Sequence, residues 1–219
     1  MRERSFLMKK KFHRGCFAFF LFASLHCASG GKTASAPYTG AVLDKYCSNP
    51  NRVLVIETKQ GAMKIQLFDK IAPHHVAQIV KLCQEGQYDG TTFHRVKAGS
   101  LIQGGDPNSK DNDLSNDGVG GMGEQLKAEF TNAGFMRGVC GMALGSDINS
   151  ASSQFFICVK DHSDWDHHYT VWGQLVEGYT TLDSIASLGS TGKYSKSSDG
   201  SANPGKDAVM TKLFIEETK

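Results

Sequence analysis

The sequence predicts a mainly β fold in which an antiparallel sheet, closed or nearly closed, is plugged at its ends by two helices. Three observations carry that expectation. Short runs of β-branched and alternating apolar residues recur along the chain with turn-forming residues between them, the pattern of many short strands. Only two segments have the spacing of an amphipathic helix. At 219 residues, 40% hydrophobic and 21% charged, the chain can bury one core, which excludes disordered, collagen-like and coiled-coil classes.

Residues 1–30 read as a leader. Lys9, Lys10 and Lys11 precede the apolar run CFAFFLFASL at 16–25, and small and polar residues follow, the order of a secretory signal peptide. That run is too short to cross a bilayer, which takes roughly 20 helical residues. Cleavage is expected after Gly30 or Ala36, and Cys27 behind the apolar run allows a lipoprotein leader instead. The body is therefore expected to be exported (periplasmic, secreted or lumenal), reaching a membrane only through a lipid anchor at Cys27. Residues 31–52, rich in Gly, Ser, Thr, Ala and Asn-Pro, read as a linker. The folded domain is expected over 53–219.

A β-branched run at 53–58, the turn Lys59-Gln60-Gly61, and Met63, Ile65 and Leu67 alternating with polar partners predict a hairpin. Pro73 opens a helix with Val76, Ile79, Val80 and Cys83 on one face, and Gly86 stands where a left-handed cap belongs. Further strands are predicted at 92–96, 101–103, 138–143, 155–159, 171–176 and 209–215. A second helix at 180–188 turns Leu182, Ile185 and Ala186 to one side before Gly189. The stretches 107–124 and 189–206 read as loops.

The 24 Lys and Arg against 22 Asp and Glu hide an asymmetry: residues 1–30 hold six bases and one acid, so the rest holds 18 against 21, a net charge of −3. A mildly acidic body with no basic stripe argues against nucleic acid as a partner, since phosphate neutralisation needs clustered Lys and Arg. Cys47, Cys83, Cys140 and Cys158 form no CxxC pair and no metal-motif spacing. Cys83, Cys140 and Cys158 lie in apolar patterns and are expected as buried small hydrophobes, and any pairing among the four stays open.

Three segments carry chemistry: Tyr88-Asp89-Gly90-Thr91-Thr92-Phe93-His94-Arg95-Val96, then Ile102-Gln103-Gly104-Gly105-Asp106-Pro107, then NSASSQFFI at 149–157. With Arg137-Gly138 and Tyr169-Thr170-Val171-Trp172-Gly173 between and after them, they resemble the cyclophilin family of peptidyl-prolyl isomerases, over about 53–216. The resemblance implies an eight-stranded antiparallel barrel capped by two α-helices, isomerisation of X-Pro bonds without a cofactor or metal, and proline-containing polypeptides as substrates; with the leader at 1–30, the expectation is a monomeric enzyme that assists the folding of exported proteins. It also brings cyclosporin-type compounds into view as ligands. Carried over position by position, it makes Arg95 the donor to the twisting prolyl amide, with Gln103 beside it and His94 on the same face. Leu101, Phe156 and Trp165 then belong to an apolar proline pocket, and Ala143, Leu144 and Gln154 to the floor that holds the preceding peptide. Ser100 stands where the family usually has a Phe wall, a loss on the order of 1–3 kcal/mol of ring contact, and Tyr169 stands in place of a frequent His.

The reaction explains the residue types. Rotation about a peptide bond must break amide resonance, a barrier of roughly 18–20 kcal/mol, and no covalent bond is made or cleaved. A pocket that grips the ring and a cation that prefers the half-rotated imide are sufficient, at about 1.4 kcal/mol of preference per tenfold rate. The alternative is a non-catalytic module of the same fold that binds peptides or proteins. Other constellations are weaker. Asp113, Ser115, Asp117, Gly118 and Glu124 fall near calcium-loop positions, but Ser is a weak ligand there and no amphipathic helix precedes them. Asp161, His162, Asp164, Asp166, His167 and His168 crowd one stretch without a metal-motif spacing and read as an exposed polar loop, and His74-His75 reads as surface. No G-x-S-x-G elbow and no Lys-Ser/Thr phosphate loop is present.

Overall fold

Residues 36–217 are described in the computed structural model, and the leader expected over 1–30 lies outside them. The hairpin forms as predicted. Strand β1 (Arg52–Thr58) pairs antiparallel with β2 (Gly61–Leu67), Thr58 opposite Gly61, so Lys59 and Gln60 make the turn. Gly61 has φ +127, and a Cβ there would stand 2.6 Å from Thr181 Oγ1, so neither the turn nor the neighbouring helix leaves room for a side chain. Then follow α2 (Pro73–Gln84), β3 (Arg95–Lys97), β4 (Leu101–Gly104), β5 (Val139–Met142), β6 (Phe155–Cys158), β7 (Val171–Glu177), α3 (Tyr179–Leu188) and β8 (Met210–Glu217). Gly86 takes φ +67 just beyond α2, the left-handed exit expected of it.

The eight strands form one antiparallel sheet in the order β3-β4-β6-β5-β7-β2-β1-β8. Register shifts at Glu57/Thr58, Lys64/Ile65 and Cys140/Gly141 bend it. The curl stops short of a ladder between the end strands β3 and β8. Thr92, expected in a strand with Arg95, instead bridges Val209, the Gly90 N–H donates to Met210 O, and the Phe93 N–H donates to Ala208 O. The sheet is thus a curled half-barrel stitched at its seam by the segments that lead into its two edges.

Strand alternation sorts side chains onto two faces. Ile102, Cys140, Phe155, Ile157 and Trp172 turn inward to a core shared with Val76, Ile79 and Leu82 of α2 and Leu182 and Ile185 of α3, so these two helices plug the sheet. Leu101, Val139, Phe156, Cys158 and Val171, their alternates, build a second apolar cluster on the outer face.

The expected linker needs correction. Within 31–52 the structure has a third helix, α1 (Gly40–Tyr46), and Tyr38 and Cys47 are buried. Tyr38, Tyr46 and Phe68 pack ring to ring at 5.1–5.8 Å, and the Gln174 side chain pairs with the Tyr38 backbone in both directions, at 2.8 and 2.7 Å. A composition of small and polar residues reads as linker, yet two tyrosines suffice to fasten the segment onto the outer cluster. The four cysteines at 47, 83, 140 and 158 are buried and unbridged, and burial raises the Cys83 thiol to about 11.

Candidate functional site

Register puts one row of residues across four strands of the outer face. Arg95 on β3 lies opposite Gln103 on β4, Gln103 opposite Phe156 on β6, and Phe156 opposite Gly141 on β5. Gly141 is small for a reason: a Cβ there would meet Phe156 Cζ at 2.4 Å and Phe135 Cε1 at 2.7 Å. Two aromatic rings therefore pack against β5 at Gly141, beside a charged and an amide side chain.

Hydrogen bonds extend that row into a relay. Arg95 Nη1 donates to Gln103 Oε1 at 2.9 Å, Gln103 Nε2 donates to Gln154 Oε1 at 3.0 Å, and Gln154 Nε2 donates to Gly120 O at 2.8 Å. Gln103, Gln154, Ala143 and Leu144 line an open groove of about 630 Å³ whose opposite wall is the glycine-rich run at 118–123. Asp106, fully buried, holds that wall by accepting the N–H groups of Asn108, Gly118 and Gly120. Aspartate is apt here because its carboxylate accepts several N–H donors at once.

On the other side of Gln103 the aromatic cluster forms a slot. Phe156 meets Trp165 and Tyr169 edge-on, both at 5.3 Å, and Leu101 belongs to the same cluster. Trp165 and Tyr169 are partly exposed whereas Phe156 and Leu101 are buried, so the slot has an apolar floor and accessible aromatic sides. Ser100 is buried and turned to a different use: its Oγ lies 3.1 Å from His162 Nε2. His162 in turn stacks on Trp165 at 3.6 Å with planes 4° apart. The reading of 161–168 as an exposed polar loop is corrected at His162, which is 7% exposed; its ring closes the space behind Trp165. His75 is corrected as well, being fully buried with Nδ1 2.6 Å from Glu129 Oε2.

His94 is brought near Arg95 in sequence but not into the groove. It is 5% exposed and packs against Gly118. Burial lowers its pKa, outweighing the nearby carboxylates of Asp106 and Asp117, so at neutral pH it is an uncharged packing group behind the glycine wall. Sequence reasoning missed Asp199, whose carboxylate pairs with Arg95 at 2.7 Å, and Gly141, whose strand was expected but whose open space could be recognised only from the register. Among the described residues no group of three or more His, Cys, Asp or Glu is arranged to hold a metal ion; in the acidic loop, Asp113 Oδ1 accepts the Ser115 N–H and O–H.

Comparison with known proteins agrees with this geometry. The family described as cyclophilin type peptidyl-prolyl cis-trans isomerase/CLD matches residues 53–213. A probable peptidyl-prolyl cis-trans isomerase of Brucella suis biovar 1 (strain 1330) is 40% identical over 151 residues, 67% of this chain and 77% of the relative. One from Synechococcus elongatus is 39% identical over 134 residues, 61% of this chain and 86% of the relative. Among solved structures, a cyclophilin-type isomerase of Cryptosporidium parvum superposes with a TM-score of 0.65 at 25% identity, covering 77% of this chain and 99% of its own.

Proposed function

The chain belongs to the cyclophilin-type peptidyl-prolyl cis-trans isomerase family, and from that premise we propose that Arg95 is its catalytic residue and that its substrates are X-Pro bonds of exported polypeptides. The observation that carries the reading is the row Arg95, Gln103, Phe156, in which a guanidinium and an aromatic slot face one surface on either side of a single amide side chain. A proline ring seated between Phe156, Trp165 and Tyr169 sets its imide beside Arg95. The residue before it then runs toward Ala143, Leu144 and Gln154 in the groove.

As the imide rotates, its nitrogen loses resonance and regains a lone pair, a better acceptor than the planar amide. A guanidinium carries five N–H donors; Gln103 takes one and Asp199 two, which leaves two for the substrate. These donors strengthen their bonds only as rotation proceeds, the condition for lowering a barrier rather than merely binding. Gln103 orients Arg95 and offers polar contact to the peptide backbone. The export of the substrates rests on the leader pattern at 1–30.

A protease-coupled assay on a proline peptide tests the assignment. Removing a donor of this kind costs about 10²–10³ in rate, so Arg95→Ala is expected to lower kcat/KM by about that factor with the fold retained. Wild-type and Arg95→Ala proteins that both run at the uncatalysed rate would leave only a peptide-binding role for the groove.

A further inference from the structure

The tract 189–206 has the composition of a plain loop, yet it is fastened to the edge strand that carries Arg95. Val96 and Ala202 exchange two backbone hydrogen bonds, at 2.8 and 2.9 Å, and Ser197 N–H donates to Ser201 O at 2.8 Å. Ser201 and Ala202 are 3% and 2% exposed. The tract thereby extends the sheet beside β3 and carries Asp199 to the guanidinium. Both oxygens of that carboxylate are committed. Oδ1 accepts the N–H and O–H of Ser201 at 3.0 and 2.6 Å, while Oδ2 accepts Arg95 Nε at 3.1 Å and Nη2 at 2.7 Å.

We propose that Asp199 is a positioning residue for the isomerase reaction: held by Ser201, it grips the Nε edge of Arg95 and, with Gln103 on Nη1, fixes the plane in which the remaining donors meet the prolyl amide. The proposal rests on the role assigned to Arg95 above. A long side chain that is 35% exposed on an edge strand otherwise spreads over many rotamers. One bond from Gln103 would leave the guanidinium free to swing about it; a second anchor on a different edge removes that rotation. Well-aligned donors are what a reaction consisting only of a bond rotation can use. The Ser201 hydrogen bonds, joined by the pairing with Arg95, hold the Asp199 carboxyl well below the usual carboxylate range, so the grip is charged at any pH where the enzyme would work.

Saturable kinetics on a proline peptide test it, with Asp199→Ala, Asp199→Asn, Ser201→Ala, Arg95→Ala and the double variant Arg95→Ala/Asp199→Ala. Asp199→Ala is expected to lower kcat/KM about tenfold, equivalent to about 1.4 kcal/mol, with most of the loss in kcat. Asp199→Asn keeps an oxygen toward Arg95 and should fall between it and wild type, and Ser201→Ala should lose about threefold, or about 0.65 kcal/mol. In the Arg95→Ala background, Asp199→Ala should cost nothing more, because a residue that acts through Arg95 has nothing left to position. The Arg95 Nε–H resonance, sharp in the wild type, should broaden in Asp199→Ala. Three results overturn the proposal: unchanged rates in every Asp199 and Ser201 variant while Arg95→Ala is inactive, a faster Asp199→Ala enzyme (a brake rather than a brace), or full additivity in the double variant. Arg95→Ala as active as wild type would instead overturn the assignment of Arg95 itself. Should Asp199→Ala not fold, the Asn and Ser201 variants decide by the same criteria.

Discussion

Trp165 shows how single side chains make this site. Its indole lies flat on His162 and edge-on to Phe156, so it has a buried face supported by an imidazole and an open edge for a ligand. Trp165→Ala should raise KM for a proline peptide about tenfold with kcat less affected, since each tenfold corresponds to about 1.4 kcal/mol; steady-state kinetics check it. Gly141→Ala should destabilise by about 1–3 kcal/mol, the usual cost of overpacking, because its Cβ would collide with Phe156 and Phe135. Urea unfolding measures that loss. At this scale the sequence was readable where partners are cross-strand neighbours, as with Arg95 and Gln103. It was unreadable for Asp199, 104 residues from its partner, and for His162, whose charged neighbours suggest water while its own ring turns inward.

Elements here are held by side chains from elsewhere in the chain. Helix α2 begins at Pro73 without a capping side chain of its own, and the Glu129 carboxylate supplies the cap, accepting the N–H groups of His74 and His75 at 3.2 and 3.1 Å. A negative group at a helix start also suits the local dipole. Asp106 does the same for the glycine wall, and Asp106→Ala would leave three N–H groups without their acceptor. These hydrogen bonds are part-buried, so water takes over some of the lost pairing, and the variant should lose about 1–3 kcal/mol in all in denaturant titration while peptide binding in the groove weakens with it. Strands and both plugging helices were legible because burial on one face writes a period into the sequence. Helix α1 was not: it is one short element with no buried residue of its own, anchored by Tyr38 and by aromatic contacts around it.

Across the whole molecule, two buried histidines set a pH dependence. Desolvation lowers both His75 and His94 from the ordinary value of 6.5. On acidification the unfolded chain takes up these protons first, so stability is full above about pH 6.5 and declines as pH falls through that value toward the lower folded pKa. Urea midpoints followed from about pH 7.5 to pH 5 should therefore drop. The drop should be shallower in His94→Gln, whose side chain cannot protonate. The sheet's curl and seam were less legible than its strands, because closure depends on segments such as 90–93 and 208–210 that bond without forming a ladder.

The clasp between Gln174 and Tyr38 bears on how far the amino end can be trimmed. The amide of a fully buried glutamine recognises one backbone unit as a neighbouring strand would. A protease that cuts upstream of Tyr38 leaves the clasp closed. One that cuts beyond it strands both poles of that amide in an oily setting and uncovers Phe68, so the clasp marks how far the amino end can be shortened with the fold intact.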